Sequence, residues 1–259
     1  MDPVDTSTFG EGMGHGANSV LGKARLILEA FALDDVELSL TELARRTGIS
    51  KASVHRLAQE LLEWGMLERS GQEYRLGMRA FELGSRVPRF RVLRDAARPF
   101  MESLHLEFKE TVHLAVLDGL EVLYLEKIAA STRATQPSRI AGRMPLHCTA
   151  TGKVLLAFSS STLIEGLLQR KLERLTPSTI VAPGLLVDHL RNVKTSGFAV
   201  EREETAAGYC SVAVPVFGPN RLLLGALSIT APTFRAKLRA SAKALAGASN
   251  TLSTSTLIN

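Results

Sequence analysis

Two cysteines, Cys148 and Cys210, are too few in 259 residues for a disulfide framework, so the stapled folds of small secreted domains are set aside and reduced thiols are expected. Long apolar runs are also missing. No stretch approaches the roughly 18 to 20 residues that cross a bilayer, and no membrane partner is expected. Residues Met1 to Ala17 carry acids and glycines, without the basic-then-apolar order of a secretory leader. They read as a flexible tail (1–17) on a cytoplasmic chain.

Signatures of catalysis are equally scarce. Thr151-Gly152-Lys153-Val154 touches the phosphate-loop pattern, but valine stands where a hydroxyl would hold magnesium and the upstream glycine spacing is wrong. No Gly-x-Ser-x-Gly elbow and no His-Glu-x-x-His helix occur. His147 and Cys148 are adjacent, a spacing that rarely lets two side chains chelate one ion, and no second pair completes a site. A hydrolase built on Ser211 or Cys210 would need a nearby base that the sequence does not offer. Neither metal, nor cofactor, nor enzymatic activity is expected.

What remains is a globular composition, 45% hydrophobic and 22% charged, in a chain comfortable for two domains. The net charge of +5 says little by itself; its distribution says more. From Leu43 to Ala58 the charges are Arg45, Arg46, Lys51 and Arg56 with no acid among them, whereas Asp34, Asp35, Glu37 and Glu42 lie just upstream. Such a surface fits phosphate contact, and on charge alone a solvated helix face fits equally.

Val20, Ala24, Ile27, Leu28 and Phe31 recur at helical spacing, which predicts a helix over about Ser19 to Ala32. Ser39-Leu40-Thr41-Glu42 matches a capping box, in which serine and glutamate both satisfy free backbone N–H groups. The helix it opens turns Leu40, Leu43 and Ala44 inward and stops at Thr47-Gly48. A third helix follows at once, with Ser50 as N-cap and Ile49 and Val54 at the positions of a hydrophobic staple. Val54, Leu57, Ala58 and Leu61 share one side of it, Ala52, Arg56 and Gln59 the other, with Ser53 and His55 on the flanks. Two short helices about a glycine turn, the second bearing small polar and cationic groups, form a helix-turn-helix. Trp64-Gly65-Met66-Leu67-Glu68-Arg69 and Glu73-Tyr74-Arg75-Leu76-Gly77, around Ser70-Gly71-Gln72, form a hairpin that reads as a wing. The alternative is a helical adaptor that binds protein.

These residues carry a resemblance. Leu40 to Leu57 resembles the helix-turn-helix of the IclR family of bacterial regulators, and Tyr74-Arg75-Leu76-Gly77 resembles the end of that family's wing. DNA-contacting positions on this reading are Arg45, Arg46, Ser50, Lys51, Ala52, Ser53, His55, Arg56, Gln59 and Arg75. The winged helix-turn-helix is placed at 18–80 and a linker helix at 81–108. Pro88 and Pro99 are expected to start or kink helices there; Arg86, Arg89, Arg91, Arg94 and Arg98 read mainly as solvated. The resemblance implies that the linker helps pair two DNA-binding heads.

The remainder, 109–259, alternates strands and helices. Thr111 to Leu117 and Glu121 to Glu126 flank Asp118-Gly119-Leu120 as a hairpin. Further strands are expected at Gly197 to Val200, Ser211 to Phe217 and Leu223 to Thr230, with helices near Gly152 to Ala157, Leu186 to Ser196 and Thr233 to Leu252. The fold class is therefore α+β on an antiparallel sheet. The resemblance extends over roughly Asn18 to Leu252, through Arg143 to Lys153, Gly197 to Glu204, Ala207 to Phe217 and Ala226 to Pro232, and implies a GAF-like effector-binding domain. Thr149 to Thr151 precede a helix whose N–H groups suit a carboxylate, and Ser228 and Thr230 alternate on one strand face; ordinary strand residues would show the same alternation. Carried over as effector-pocket residues are Met144, Ala150, Thr151, Glu201, Ser211, Ser228 and Thr230. Glu201, Glu203 and Glu204 read as a solvated, partly pocket-lining face.

Two positions depart from the family pattern. Ser211 stands where cysteine is usual, with Cys210 one residue earlier and so on the opposite strand face, and Glu201 replaces an aspartate. The expected function is binding of double-stranded operator DNA by a homo-oligomer, dimer or tetramer, under control of a small organic effector. The resemblance points that effector toward organic acids or aromatic catabolites. A small-molecule sensor acting through protein partners is the alternative.

Overall fold

Ser19, Ser39 and Ser50 each accept a hydrogen bond from the backbone N–H three residues on, at 2.9, 3.2 and 3.4 Å, and each opens a helix. These are α1 (Val20–Glu29), α2 (Leu40–Thr47) and α3 (Lys51–Glu63). The computed structural model describes residues 18–32, 35–129 and 138–254, apart from the side chain of Arg89. The expected tail, and Asp34 of the acidic cluster, lie outside the described residues. The chain divides into two units, one ending at Pro88 and the other beginning at Arg89.

In the first unit α2 ends at Gly48, whose φ of 69° is the left-handed conformation that glycine adopts without penalty. Strands β1 (Leu67–Ser70) and β2 (Glu73–Leu76) pair antiparallel across a two-residue loop. Leu38 adds a bridge to Tyr74, each N–H donating to the other's carbonyl. Ile27, Leu43, Val54, Leu57, Leu61, Leu67 and Tyr74 form the core beneath. Helix α4 (Met78–Ser85) follows directly, and Gly77 at its N-cap has no room for a side chain. A Cβ there would fall 2.2 Å from the Gly65 carbonyl oxygen. Gly77→Ala is expected to cost roughly 1–3 kcal/mol, the usual range for overpacking, read as a lower urea midpoint. An unchanged midpoint would show that this junction yields freely.

The second unit opens with α5 (Pro88–Phe108), in which Pro88 is the first helical residue and Pro99 lies inside the helix. Strands β3 (Thr111–Asp118), β4 (Glu121–Ile128) and β5 (Arg143–Pro145) follow. Next come helices α6 (Ala150–Ala157), α7 (Ser161–Leu168) and α8 (Pro183–Ser196). The chain finishes with β6 (Ala199–Arg202), β7 (Tyr209–Phe217), β8 (Leu223–Pro232) and α9 (Leu238–Ser253). The six strands form one antiparallel sheet in the order β5-β4-β3-β8-β7-β6, so the fold is α+β.

Alternation along the central strands assigns the two faces. Val112, Leu114, Val116, Val212, Val214, Leu227 and Ile229 pack with Leu93, Met101 and Leu104 of α5 and Leu245 and Leu252 of α9. Their neighbours Ala115, Ala213 and Ala226 face α6 and α8, among Val154, Leu155, Leu186 and Leu190. Small residues on that face let α6 lie close to the sheet. Several boundaries differ from the sequence reading. Gly197 caps α8 with a φ of 78° instead of starting a strand. The last helix begins at Leu238, after a separate 3₁₀ turn at Thr233–Arg235. Helix α7 and strand β5 were not expected at all.

Candidate functional site

Helix α3 presents its polar side as expected: Lys51, Ala52, His55 and Arg56 are exposed, Ser53 and Gln59 partly so, while Val54, Leu57, Ala58 and Leu61 are buried. Ser50 is engaged at the helix start, where its Oγ also lies 3.0 Å from Ser53 Oγ. Arg56 pairs with Glu60 at 2.8 Å and Arg75 of the wing with Glu68 at 3.0 Å, both in the open. Exposed pairs of this kind are weak and screened by salt, so they leave both cations available to a phosphate or a base edge.

The two arginines of α2 behave differently. Arg45 is 70% exposed and holds Glu42. Arg46 is 29% exposed and turns back on its own domain, bonding Asp35, Glu42 and the Ala30 carbonyl. Its guanidinium thereby ties the loop after α1 to α2, an anchoring role that the sequence reading did not foresee. These bonds also occupy the Glu42 carboxylate, which is held down at about 2 by Arg45 and Arg46. The glutamate half of the expected capping box is therefore replaced by an ion pair. The wing has a similar anchor, with the Arg69 guanidinium 4.2 Å from the centroid of the buried Tyr74 ring.

The second unit holds a cavity of about 30 Å³ between the α6 face of the sheet and the N-terminus of α6. Strand register builds its floor. Glu201, Ser211 and Thr230 are successive cross-strand partners on β6, β7 and β8, and Ser228 stands opposite His113 of β3. The row is bonded laterally, with Ser211 Oγ 2.9 Å from Thr230 Oγ1. All seven residues carried over in the sequence reading, Met144, Ala150, Thr151, Glu201, Ser211, Ser228 and Thr230, line this one cavity. Cys210 points away and lies 3.8 Å from the Ala231 carbonyl.

Thr149 is the N-cap of α6, its Oγ1 accepting the Gly152 N–H at 3.0 Å. Ala150 and Thr151 belong to the first turn rather than preceding the helix as the sequence reading had it. Their N–H groups have no acceptor within the helix, and both residues are on the cavity wall. A helix start so placed favours an anion.

Glu201 is buried on the cavity wall, the pocket-lining part of the expectation, while the buried Glu204 corrects the solvated face expected of it. Glu201 Oε1 accepts the N–H groups of Glu204 and Thr205 at 2.7 and 3.2 Å, while burial pushes its carboxyl above the ordinary carboxylate range. Glu204 leaves the cavity to form an ion pair with the fully buried Lys153 of α6. The cavity residues beyond those seven are His113, Tyr124, Ser138, Thr149 and Thr205; of these the sequence reading had singled out Thr149 alone, as part of the helix start. Tyr124 Oη lies 3.3 Å from Thr151 Oγ1, and burial pushes its phenol up to about 12. His147 and Cys148 serve packing: the ring bonds the Glu173 carbonyl at 2.8 Å, and burial pushes the thiol up to about 12.

Residues 20–71 match the family model for the IclR helix-turn-helix domain, and residues 89–254 match that for the bacterial transcriptional regulator IclR C-terminal. The chain is 33% identical over 216 residues to the HTH-type transcriptional regulator XynR of Escherichia coli K12, covering 82% of this chain and 86% of that protein. It is 30% identical over 214 residues to the transcriptional repressor IclR of the same strain, covering 81% and 78%. Among solved structures, an IclR homolog from Microbacterium hydrocarbonoxydans complexed with 4-hydroxybenzoate is similar at a TM-score of 0.86 and 30% identity, over 91% of this chain and 98% of that one. The IclR of Thermotoga maritima is similar at a TM-score of 0.74 and 28% identity, over 90% and 96%.

Proposed function

Because the chain belongs to the IclR family of bacterial transcriptional regulators, we propose that it binds operator DNA through α3 and the wing, and that occupancy of the Glu201–Ser211–Thr230 cavity by a small carboxylic acid controls that binding. The observation that carries the reading is the convergence of a helix N-terminus and a row of hydroxyls on one cavity. Lys51, Ala52, Ser53, His55, Arg56 and Gln59 face the major groove, where arginine and glutamine read base edges and serine reaches phosphate. Ser50, Arg45 and Arg75 border that surface. Arg46 contributes by holding α2 in place.

In the cavity the carboxylate sits at the first turn of α6, with Ser211, Ser228 and Thr230 on its other end. Burial raises the pKa of Glu201 from its ordinary value, which lessens the penalty of placing its carboxyl near an anion. A relative crystallised with 4-hydroxybenzoate supports an acid as the ligand class. A cavity of about 30 Å³, space for a water or two, calls for side-chain displacement on binding, so a small ligand suits it best. The heads act in pairs within a homodimer or homotetramer, and the half-sites lie about one helical turn apart, as a palindrome or a direct repeat.

The test is selection from sheared genomic DNA by the purified full chain, repeated at rising salt and with pools of organic acids. A few enriched fragments sharing a repeated motif, lost steeply as salt rises and altered by an acid, are expected. Failure to enrich any site under every condition would overturn the reading in favour of a sensor that acts through protein partners.

A further inference from the structure

One residue of the cavity wall, His113, has a polar atom that the fold does not satisfy. His113 is 2% exposed, and its Nε2 lies 2.7 Å from Ser138 Oγ. Its Nδ1 is the one buried side-chain nitrogen or oxygen left without a hydrogen-bond partner among the described residues. Burial and the nearby Lys127 ammonium push the imidazole down to about 3, so the ring is neutral and carries a single proton. Placing that proton on Nε2 lets it donate to Ser138 and leaves Nδ1 a bare acceptor. The other tautomer would bury an N–H with nothing to accept it, which folded proteins avoid more strictly than an unfilled lone pair. The ring is held against Tyr124, centroids 5.0 Å apart, so the aim of Nδ1 is fixed before any ligand arrives.

We propose that His113 is a specificity-determining ligand contact whose Nδ1 accepts a hydrogen bond from a hydroxyl group, making the effector a small hydroxylated carboxylic acid. The inference rests on the cavity being the effector site. An ammonium donor is disfavoured, because Lys127 lies near His113 and the positive end of α6 borders the cavity. The hydroxyl falls beside Ser228, the cross-strand partner of His113, and the carboxylate at the first turn of α6. An acid lacking the hydroxyl leaves Nδ1 buried and unpaired, and sites built to hydrogen-bond a ligand hydroxyl discriminate strongly on that ground.

The experiment uses the full chain and matched acids: 4-hydroxybenzoate against benzoate, and glycolate against acetate. Calorimetry gives the affinities, and ¹⁵N NMR of the uniformly labelled chain follows His113 Nδ1 together with the Ser211 and Thr230 amides. The hydroxylated member of at least one pair is expected to bind about tenfold tighter or better, with the bare-acceptor Nδ1 resonance moving on binding. His113→Phe keeps a ring against Tyr124 and is expected to bring the ratio near one while sparing the deoxy acid. His113→Asn, which restores a polar atom near Nδ1, is expected to recover part of the preference. Equal affinities within each pair, with Ser211 and Thr230 resonances displaced but Nδ1 unmoved, overturn the role of His113 and leave the cavity reading intact. No binding and no displacement with any acid overturns the cavity reading and this inference together.

Discussion

Lys153→Ala is expected to destabilise the C-terminal unit by roughly 3–5 kcal/mol, the range found when one partner of a buried ion pair is removed. Lys153 is the only charged side chain in α6, a helix whose every residue is buried. Its ammonium meets the Glu204 carboxylate with the two side chains 0% and 6% exposed. Glu204 has a second, longer bond from the Ile180 N–H at 3.4 Å, too little to carry an anion alone. Truncating lysine therefore leaves a charge in a low-dielectric interior with no counterion. Lys153→Met combined with Glu204→Leu removes both charges at similar volume and is expected to recover most of the loss. Urea unfolding followed by circular dichroism reads both effects; a loss below about 1 kcal/mol for the single variant would show that water reaches Glu204.

Arg56→Ala is expected to weaken operator binding by about ten- to a hundredfold, or 1–3 kcal/mol, as for a guanidinium that reads a base edge. The side chain is 62% exposed on the polar face of α3, and its partner Glu60 is 57% exposed, so substitution removes no buried contact. Titration of the recovered operator and of a scrambled duplex separates the possibilities. A loss confined to the operator assigns Arg56 to base recognition, and an equal loss on both assigns it to phosphate. Unchanged affinity on both removes it from the interface. Affinity for the acid effector should stay constant throughout.

The DNA-binding head was legible because its determinants are local. Ser39, Gly48 and Ser50 fix helix ends within three or four residues of themselves, and the staple from Ile49 to Val54 spans five positions. The anchoring bonds of Arg46 were not legible, for the opposite reason. Its partner Asp35 lies eleven residues upstream, where composition records acids without showing which cation they hold. In the second unit, period-two alternation placed Ser228 and Thr230 on one face and separated Ser211 from Cys210. The full set of seven needed the family resemblance as well. His113 sits in an apolar run, and only the register of β3 against β8 brings it opposite Ser228; the alternation of Thr111, His113 and Ala115 was the available hint. Lys153 and Glu204 are 51 residues apart, beyond any local pattern. Strand β5 has three residues, too short for periodicity to stand out.

The strand order has a bearing on solubility. A sheet that is not closed into a barrel offers unpaired backbone at its two margins, where another chain can add a strand and begin a fibril. Here the margins are β5 and β6, which have only three and four residues. Margin β5 carries Pro145, which has no N–H to donate, and Arg143, paired with Asp118 and Glu121. Margin β6 carries the exposed Arg202, a charge that disfavours an added strand. Short margins bearing Pro145, Arg143 and Arg202 thus also guard against amyloid-like growth, so replacing Arg202 by an apolar residue would lower colloidal safety without touching the fold's core.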